Sequence, residues 1–240
     1  MSTNIKPPKL EFFITPPHAC PYLARDDAQT IFLSPEIYPD KKLYSNLINK
    51  GFRRSGEHIY QPHCKNCNQC LSIRIPVDEF KFSRSQKRCL KRKSQFTVQT
   101  VPAKFTQQYY HLFDKYISLR HRDGEMYPTS TRQFKEFLLS DWLEIQFMDF
   151  TDIKTGKLVA TAVFDQVDDG LSAFYTFFDP EYEKFSLGKM AILSLIELTK
   201  SLGLPYLYLG YWVKDSAKMT YKGEYRPMQC YILDKWIKLL

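Results

Sequence analysis

No run of 18 apolar residues occurs in this 240-residue chain, and Met1 to Phe13 (MSTNIKPPKLEFF) lacks the apolar stretch of a secretory leader. Neither a membrane-spanning helix nor export is expected, so the expected address is the cytoplasm. There is no repeat with a period of 20 to 50 residues and no low-complexity tract, which argues against a solenoid or a linker array. The most informative lack is of acid. From Phe80 to Phe113 there is no Asp or Glu, yet eight bases occur: Lys81, Arg84, Lys87, Arg88, Lys91, Arg92, Lys93 and Lys104. The chain has 34 Lys and Arg against 26 Asp and Glu, so this one segment accounts for the whole net charge of +8 and the remainder is balanced. What is present suffices for a core, because 44% of residues are apolar and 15% aromatic. Wholesale disorder and a small disulfide scaffold are therefore not expected.

The six cysteines are also unlike a disulfide set, given the reducing compartment expected for the chain. Cys64, Cys67 and Cys70 recur every third residue in HCKNCNQC, so one short loop can turn three sulfurs inward toward a metal or cluster. A ferredoxin-type run would need a further Cys at position 74, where this chain has Arg74. Cys20, followed by Pro21, is the distal candidate for a fourth ligand. His18 and His63 are spare imidazoles for zinc, and iron–sulfur or zinc both remain open at Cys20, Cys64, Cys67 and Cys70. Cys89 reads as a bystander thiol and Cys230 as a core residue.

The chain divides into three segments. Residues 1–80 form a Cys-rich region broken by Pro7, Pro8, Pro16, Pro17, Pro21, Pro35, Pro39, Pro62 and Pro76. Within it Asp40 can cap a helix with Leu43, Leu47 and Ile48 inward, ended by Gly51, before a strand and turn over Phe52 to Tyr60. Residues 81–130 hold a helix capped by Ser83 or Ser85 and running to about Lys93, basic nearly all round with little to bury, and then a linking helix with Tyr109, Leu112, Phe113 and Ile117 at helical spacing. Seven bases in the 13 positions from Lys81 to Lys93 repel one another unless a polyanion is near, so phosphates are the expected ligand. Residues 131–240 read as α/β (α+β). A short helix from Thr131 to Ser140 leads to strands over Trp142–Phe150, Leu158–Val167 and Leu171–Phe178, the last two joined at Asp168-Asp169-Gly170. A helix from Ser186 to Leu202 then precedes strands at Leu204–Leu209 and Gln229–Leu233.

Three strands, a helix opened by Ser186-Leu187-Gly188, and a further strand resemble the GCN5-related N-acetyltransferase fold. The free N–H groups at the start of that helix, with Gly188 allowing close approach, suit an anion, which makes Ser186 and Gly188 substrate-binding candidates.

A second resemblance is carried by ordered blocks. They are Cys20-Pro21-Tyr22-Leu23, Gly51-Phe52-Arg53-Arg54-Ser55-Gly56, the HCKNCNQC run, Arg84-Ser85-Gln86-Lys87-Arg88, Ser186-Leu187-Gly188, and Tyr206-Leu207-Tyr208-Leu209-Gly210-Tyr211-Trp212 followed by Lys218-Met219-Thr220-Tyr221-Lys222. From about residue 10 onward the chain resembles the bacterial aminoacyl-tRNA–protein transferases, relatives of eukaryotic arginyltransferase, and is more similar to the leucyl-transferring branch. The resemblance implies transfer of Leu from Leu-tRNA to proteins beginning with Asp or Glu, as an N-degron tag ahead of Clp-type proteolysis. Aminoacyl-tRNA is then the co-substrate, and Arg84, Lys87, Arg88, Lys91, Arg92 and Lys93 are its expected grip.

An aminoacyl ester is already activated, so such a reaction needs a neutral α-amine and a stabilised oxyanion more than a nucleophile. Tyr211 is a candidate to relay a proton or orient the ester, with Trp212 beside it as a substrate-binding candidate. Lys218 and Lys222 are candidates to stabilise negative charge. An acceptor carboxylate calls for a forked base, for which Arg53 and Arg54 are the candidates. Three alternatives stay open: arginyl transfer, a non-catalytic RNA-binding module stapled by zinc, and a coenzyme A-dependent acetyltransferase.

Overall fold

A computed structural model describes residues 10–239. Pro7 and Pro8, and most of the segment read for a leader, lie outside them. The elements run β1 (Phe12–Ile14), β2 (Thr30–Leu33), α1 (Lys41–Asn49), β3 (Arg53–Ser55), β4 (His58–Pro62), β5 (Leu71–Pro76), α2 (Arg84–Lys91), β6 (Phe96–Pro102), α3 (Gln107–Arg120) and α4 (Thr131–Leu138). They continue with β7 (Ile145–Asp152), β8 (Leu158–Val167), β9 (Gly170–Phe178), α5 (Leu187–Ser201), β10 (Tyr206–Trp212), β11 (Met228–Ile232) and β12 (Lys235–Leu239). Among the described residues no helix is long and apolar enough to cross a membrane.

The fold is mixed α/β, and the described residues form two sheets. One has four strands in the order β1-β2-β4-β3, and the other has eight in the order β12-β11-β5-β10-β9-β8-β7-β6. Strand β5 comes from the N-terminal third yet lies inside the large sheet between β11 and β10. The large sheet therefore draws on all three segments distinguished in the sequence.

Periodicity places several elements where they occur. Asp40 caps α1 through its side chain, and Tyr44, Leu47 and Ile48 are buried beneath. Helix α3 buries Tyr109, Leu112, Phe113 and Ile117, and α4 adds Phe134 and Leu138 to the same aromatic cluster. The turn at Asp168-Asp169 joins β8 to β9 with Val167 opposite Gly170. Helix α5 is buried along most of its length, which makes it the central helix of the main core.

Helix α2 departs from expectation. Ser83 and Gln86 form a reciprocal capping box, and Gln86 and Cys89 are buried, with Cys89 in the core against α5. The helix is therefore basic on one face only, and Cys89 is a packing residue. A single 3₁₀ turn, Arg92–Gln95, follows it.

Strands β9 and β10 are the parallel pair, linked by the α5 crossover, and only three registered positions join them: Gly170 with Tyr206, Leu171 with Leu207, and Ser172 with Tyr208. A Cβ at Gly170 would stand 2.2 Å from the Tyr206 carbonyl oxygen, so the pair closes this tightly only because residue 170 has none. Beyond Ser172 and Tyr208 the two strands part. Ligands of open α/β sheets bind at such carboxyl ends, where neighbouring strands diverge.

Candidate active site and nucleic-acid interface

Strand β10 turns sharply where it leaves β9. Its pairing with β5 slips between Tyr208 and Tyr211, and Gly210 sits at φ +77°, a bulge that re-aims the backbone. Lys222, from the 3₁₀ turn Thr220–Glu224, reaches this bulge and donates from Nζ to the Tyr211 carbonyl at 2.7 Å. The amine is buried and, among the described residues, pairs with no carboxylate. Burial first, and then the Arg53 charge, bring the Lys222 pKa down to about 7. An amine in that range is neutral for part of the time at physiological pH and can exchange a proton with an α-ammonium of pKa about 7.7–8.0.

Arg53 is the second buried cation here. Its guanidinium donates only to backbone, to the Phe52 carbonyl at 2.9 Å and the Ile73 carbonyl at 3.2 Å, and its Nε is left without a partner. The Tyr208 and Tyr211 rings lie 5.3 and 5.9 Å from it. Tyr211 is turned to a different task from proton relay, because its hydroxyl lies 3.0 Å from the Gly51 carbonyl and 3.2 Å from the Tyr60 carbonyl. It pins the small sheet to β10, and burial raises its pKa well above 10. Trp212 is buried against Gly223 with its indole N–H unpaired.

Arg54 does not join Arg53. Its fork closes on Asp165 of β8, with Nε to Oδ2 at 2.9 Å and Nη2 to Oδ1 at 2.7 Å, and both side chains are 0% exposed. With both branches engaged, this guanidinium is not open to an acceptor carboxylate. Asp165 is not among the candidates picked out from the sequence, although a lone acid in the apolar run Leu158–Val167 is a signal that a base must meet it. Nor is Arg74, which lies 3.6 Å from the Tyr206 ring centroid and 4.3 Å from that of Trp236, and donates to Gln229 and Asn49.

Lys218 and Lys222 are not neighbours in the site. Lys218 is exposed and faces His121, whose pKa is lowered by burial and then by the charges of Arg120 and Lys218. Ser186 caps α5 in a left-handed conformation, φ +55°, with an exposed side chain that makes no capping bond. Gly188 follows in the first turn, half-buried, with the Phe178 ring 3.7 Å from where a Cβ would stand.

The basic helix ties these parts together. Gln86 Nε2 donates to the Glu224 carbonyl at 3.3 Å, two residues beyond Lys222, and the Cys89 thiol lies against the Phe185 and Ser186 carbonyls. Arg84, Lys87, Arg88 and Lys91 are exposed and enter no ion pair among the described residues, whereas Lys93 pairs with Glu197 and Arg92 donates to the Lys184 carbonyl. Four unpaired bases on one face are an anion-binding surface.

Cys20, Cys64, Cys67 and Cys70 line one small cavity of ≈ 40 Å³ with Arg25 and Asp27 at its side. Burial, and then the neighbouring Cys20, Cys64 and Cys67, push the Cys70 thiol up to about 12. The Gln29 amide points at the Cys64 sulfur at 3.4 Å. A thiol-rich cavity of this kind fits a soft cation, whose charge would favour the thiolate forms that burial and crowding disfavour. In the present arrangement, however, no group of three or more described His, Cys, Asp or Glu residues is placed to hold an ion. His18 is exposed and hydrogen-bonds the adjacent Ala19 carbonyl.

Known proteins share this chain's sequence over nearly its full length. Aspartate/glutamate leucyltransferase of Alcanivorax borkumensis is 47% identical, covering 95% of this chain and 93% of the relative. That of Hahella chejuensis is 46% identical, covering 96% and 97%. Among solved structures, L-PGS from Bacillus licheniformis is 12% identical with a TM-score of 0.49 over 82% of this chain and 62% of its own, too weak a likeness to assign a fold family. The profile of the arginine-tRNA-protein transferase N terminus matches residues 18–88, and that of its C terminus matches residues 108–232. The two matches take in Arg53, the cysteine loop, most of α2, the α5 N-terminus and Lys222, and with the full-length relatives they place this chain in the arginine-tRNA-protein transferase family.

Proposed function

We propose that the protein transfers leucine from Leu-tRNA to the α-amine of proteins beginning with Asp or Glu. The observation that carries this is Lys222, a buried amine without a counterion at the parting of β9 and β10, with the unpaired bases of α2 alongside. The names of the relatives support the donor and the acceptor. In the reaction the ester bond to the tRNA ribose breaks and a peptide bond forms between the leucyl carbonyl and the acceptor nitrogen. Lys222 takes a proton from that nitrogen, and a proton passes to the departing ribose oxygen. Arg53 adds positive charge where the oxyanion develops.

The β9–α5–β10 crossover and its gap support reading the C-terminal region as a GNAT-like acyltransferase. The product would feed a Clp-type protease in the cytoplasm. Incubation with labelled Leu-tRNA or Arg-tRNA and peptides starting with Asp, Glu or Ala tests the proposal. Leu is expected on the Asp and Glu peptides alone. Transfer of Arg instead would move the protein to the arginyl branch, and transfer of neither would reject the reading.

The exposed face of α2 makes a separate prediction. Replacing Arg84, Lys87, Arg88 and Lys91 together by Gln is expected to weaken tRNA binding, most strongly at low salt. The slope of log K against log salt should fall by about 3 to 4, close to 0.9 for each phosphate that is no longer neutralised. Filter-binding titrations from about 50 to 200 mM salt read this directly, and an unchanged slope would remove α2 from the interface.

We further propose that Cys20, Cys64, Cys67 and Cys70 hold zinc or an iron–sulfur cluster that staples β1, β2 and β4 to the loop at 64–70. Bound metal there would contribute folding energy, since a segment so broken by proline has little apolar periodicity of its own. Cys67→Ser is expected to lower both the metal content and the thermal midpoint. Metal-free protein after anaerobic purification, with an unchanged midpoint in the variant, would reject it.

A further inference from the structure

The far end of the basic helix opens on a cavity of ≈ 380 Å³. Two half-buried rings, Tyr182 and Phe185, line it, backed by the buried Phe96. The Phe96 ring centroid lies 6.5 Å from that of Tyr182 and 5.2 Å from that of Phe185, and the last two are 5.9 Å apart. Lys154 and Lys184 line it, both exposed and in no ion pair among the described residues, with the Lys184 ammonium 5.2 Å from the Phe185 ring centroid. The acids beside them are occupied. Glu181 pairs with Lys115 at 2.7 Å, while Asp152 accepts from the Tyr182 hydroxyl and from the Lys154 amide, each at 2.8 Å. What faces the opening is two ammonium ions, the exposed Gln95 and the half-buried rings of Tyr182 and Phe185, with Phe96 buried in the core behind them.

The position of the cavity narrows what it can hold. Helix α2 begins against the Glu224 carbonyl, close to Lys222, and the turn that follows it ends at the cavity, where Arg92 donates to the Lys184 carbonyl at 2.6 Å. Eight α-helical residues and four 3₁₀ residues rise about 20 Å between those points. Lys87, Arg88 and Lys91 lie along the way, unpaired. A nucleic-acid strand laid on this ridge from Lys222 reaches the cavity within about six nucleotides when stacked at about 3.4 Å each, and within fewer when extended.

We propose that this cavity binds one unstacked nucleotide near the 3′ end of the aminoacyl-tRNA, with its base on the Tyr182 and Phe185 rings and its phosphate between Lys154 and Lys184. The inference rests on the aminoacyl-tRNA reading above. Unpaired RNA ends are recognised by this combination, because every base has a face that stacks on an aromatic ring while lysines hold the backbone. The cavity would then set where the acylated ribose falls relative to Lys222.

Ser94 lines the cavity and is itself exposed, so Ser94→Trp fills the space without disturbing the core. The variant is expected to bind deacylated tRNA about tenfold more weakly, in line with loss of one base–aromatic stack, with an unchanged thermal midpoint. Lys154→Gln with Lys184→Gln should lower the salt slope by about 1, the share of one phosphate. Wild-type affinity and transfer in Ser94→Trp would overturn the proposal while leaving the transferase reading intact. So would saturable binding of free AMP that Ser94→Trp abolishes without any change in tRNA affinity. Failure of the wild-type protein to transfer from any aminoacyl-tRNA is a different result and removes the reading on which the proposal rests.

Discussion

Replacing Lys222 by Met is expected to slow aminoacyl transfer about 10²- to 10⁴-fold, the range lost with a general base, while the folded protein remains at least as stable at pH 7. The two halves of this expectation have one cause. Burial and the Arg53 charge disfavour the ammonium form, so the folded-state pKa is about 7 against 10.5 for the ordinary side chain. Between those values the unfolded chain holds a proton that the folded chain does not. Stability therefore rises with pH across that window, and the contribution is lost as pH falls toward 7. Met removes both the desolvated amine and its titration. Thermal melts from about pH 6 to 9 should lose part of their pH dependence in the variant.

Transfer by the wild-type protein should decline as pH falls below about 7, where Lys222 becomes charged. Met at this position retains the stem that packs under the β10 bulge and gives up only the bond to the Tyr211 carbonyl, so tRNA affinity should be unchanged. Transfer within tenfold of wild type would remove Lys222 from the chemistry. A collapse of the melting midpoint would show instead that the amine is structural.

Local order was legible in the sequence wherever one segment decides its own structure. The β8–β9 hairpin follows from two apolar runs about Asp168-Asp169-Gly170, and α5 from apolar spacing closed by Gly203, which takes φ +67°. Strand β5 was not legible. Its residues LSIRIP follow a cysteine loop, and its partners β10 and β11 lie more than a hundred positions onward, so no local pattern announces them. Strand β6 lies within the segment read for charge, and β12 reads KWIKL, in which Lys235 and Lys238 suit an edge.

The site divides in the same way. Lys222 can be picked from its motif block, but its missing counterion cannot, since that depends on what the β10 bulge buries. Arg53 and Arg54 show the opposite failure. Adjacent in sequence, they look like one forked site, yet successive residues of a strand point to opposite faces. Arg53 faces Tyr208 and Tyr211, and Arg54 faces Asp165. Chain neighbours on a strand cannot act together, whereas Arg53 and Lys222, far apart in sequence, share one electrostatic environment.

That division makes Arg54 a test of structure against specificity. Arg54→Met is expected to destabilise the protein by about 3 to 5 kcal/mol, because it leaves the Asp165 carboxylate buried with only the Tyr44 hydroxyl beside it at 3.4 Å. Asp165→Leu alone should cost a similar amount by stranding the guanidinium. The double variant should recover most of the loss, since a buried ion pair replaced by apolar side chains of similar volume is often neutral or stabilising. Urea unfolding of the four proteins gives the coupling energy directly. The same double variant decides the acceptor question. If Arg54 only holds β3 to β8, it will still prefer peptides beginning with Asp or Glu over Ala. If Arg54 instead recognises the acceptor carboxylate, that preference will disappear from a protein that is otherwise stable. Retained preference, with Arg53→Met abolishing it, would place the carboxylate on the face that Arg53 shares with Lys222.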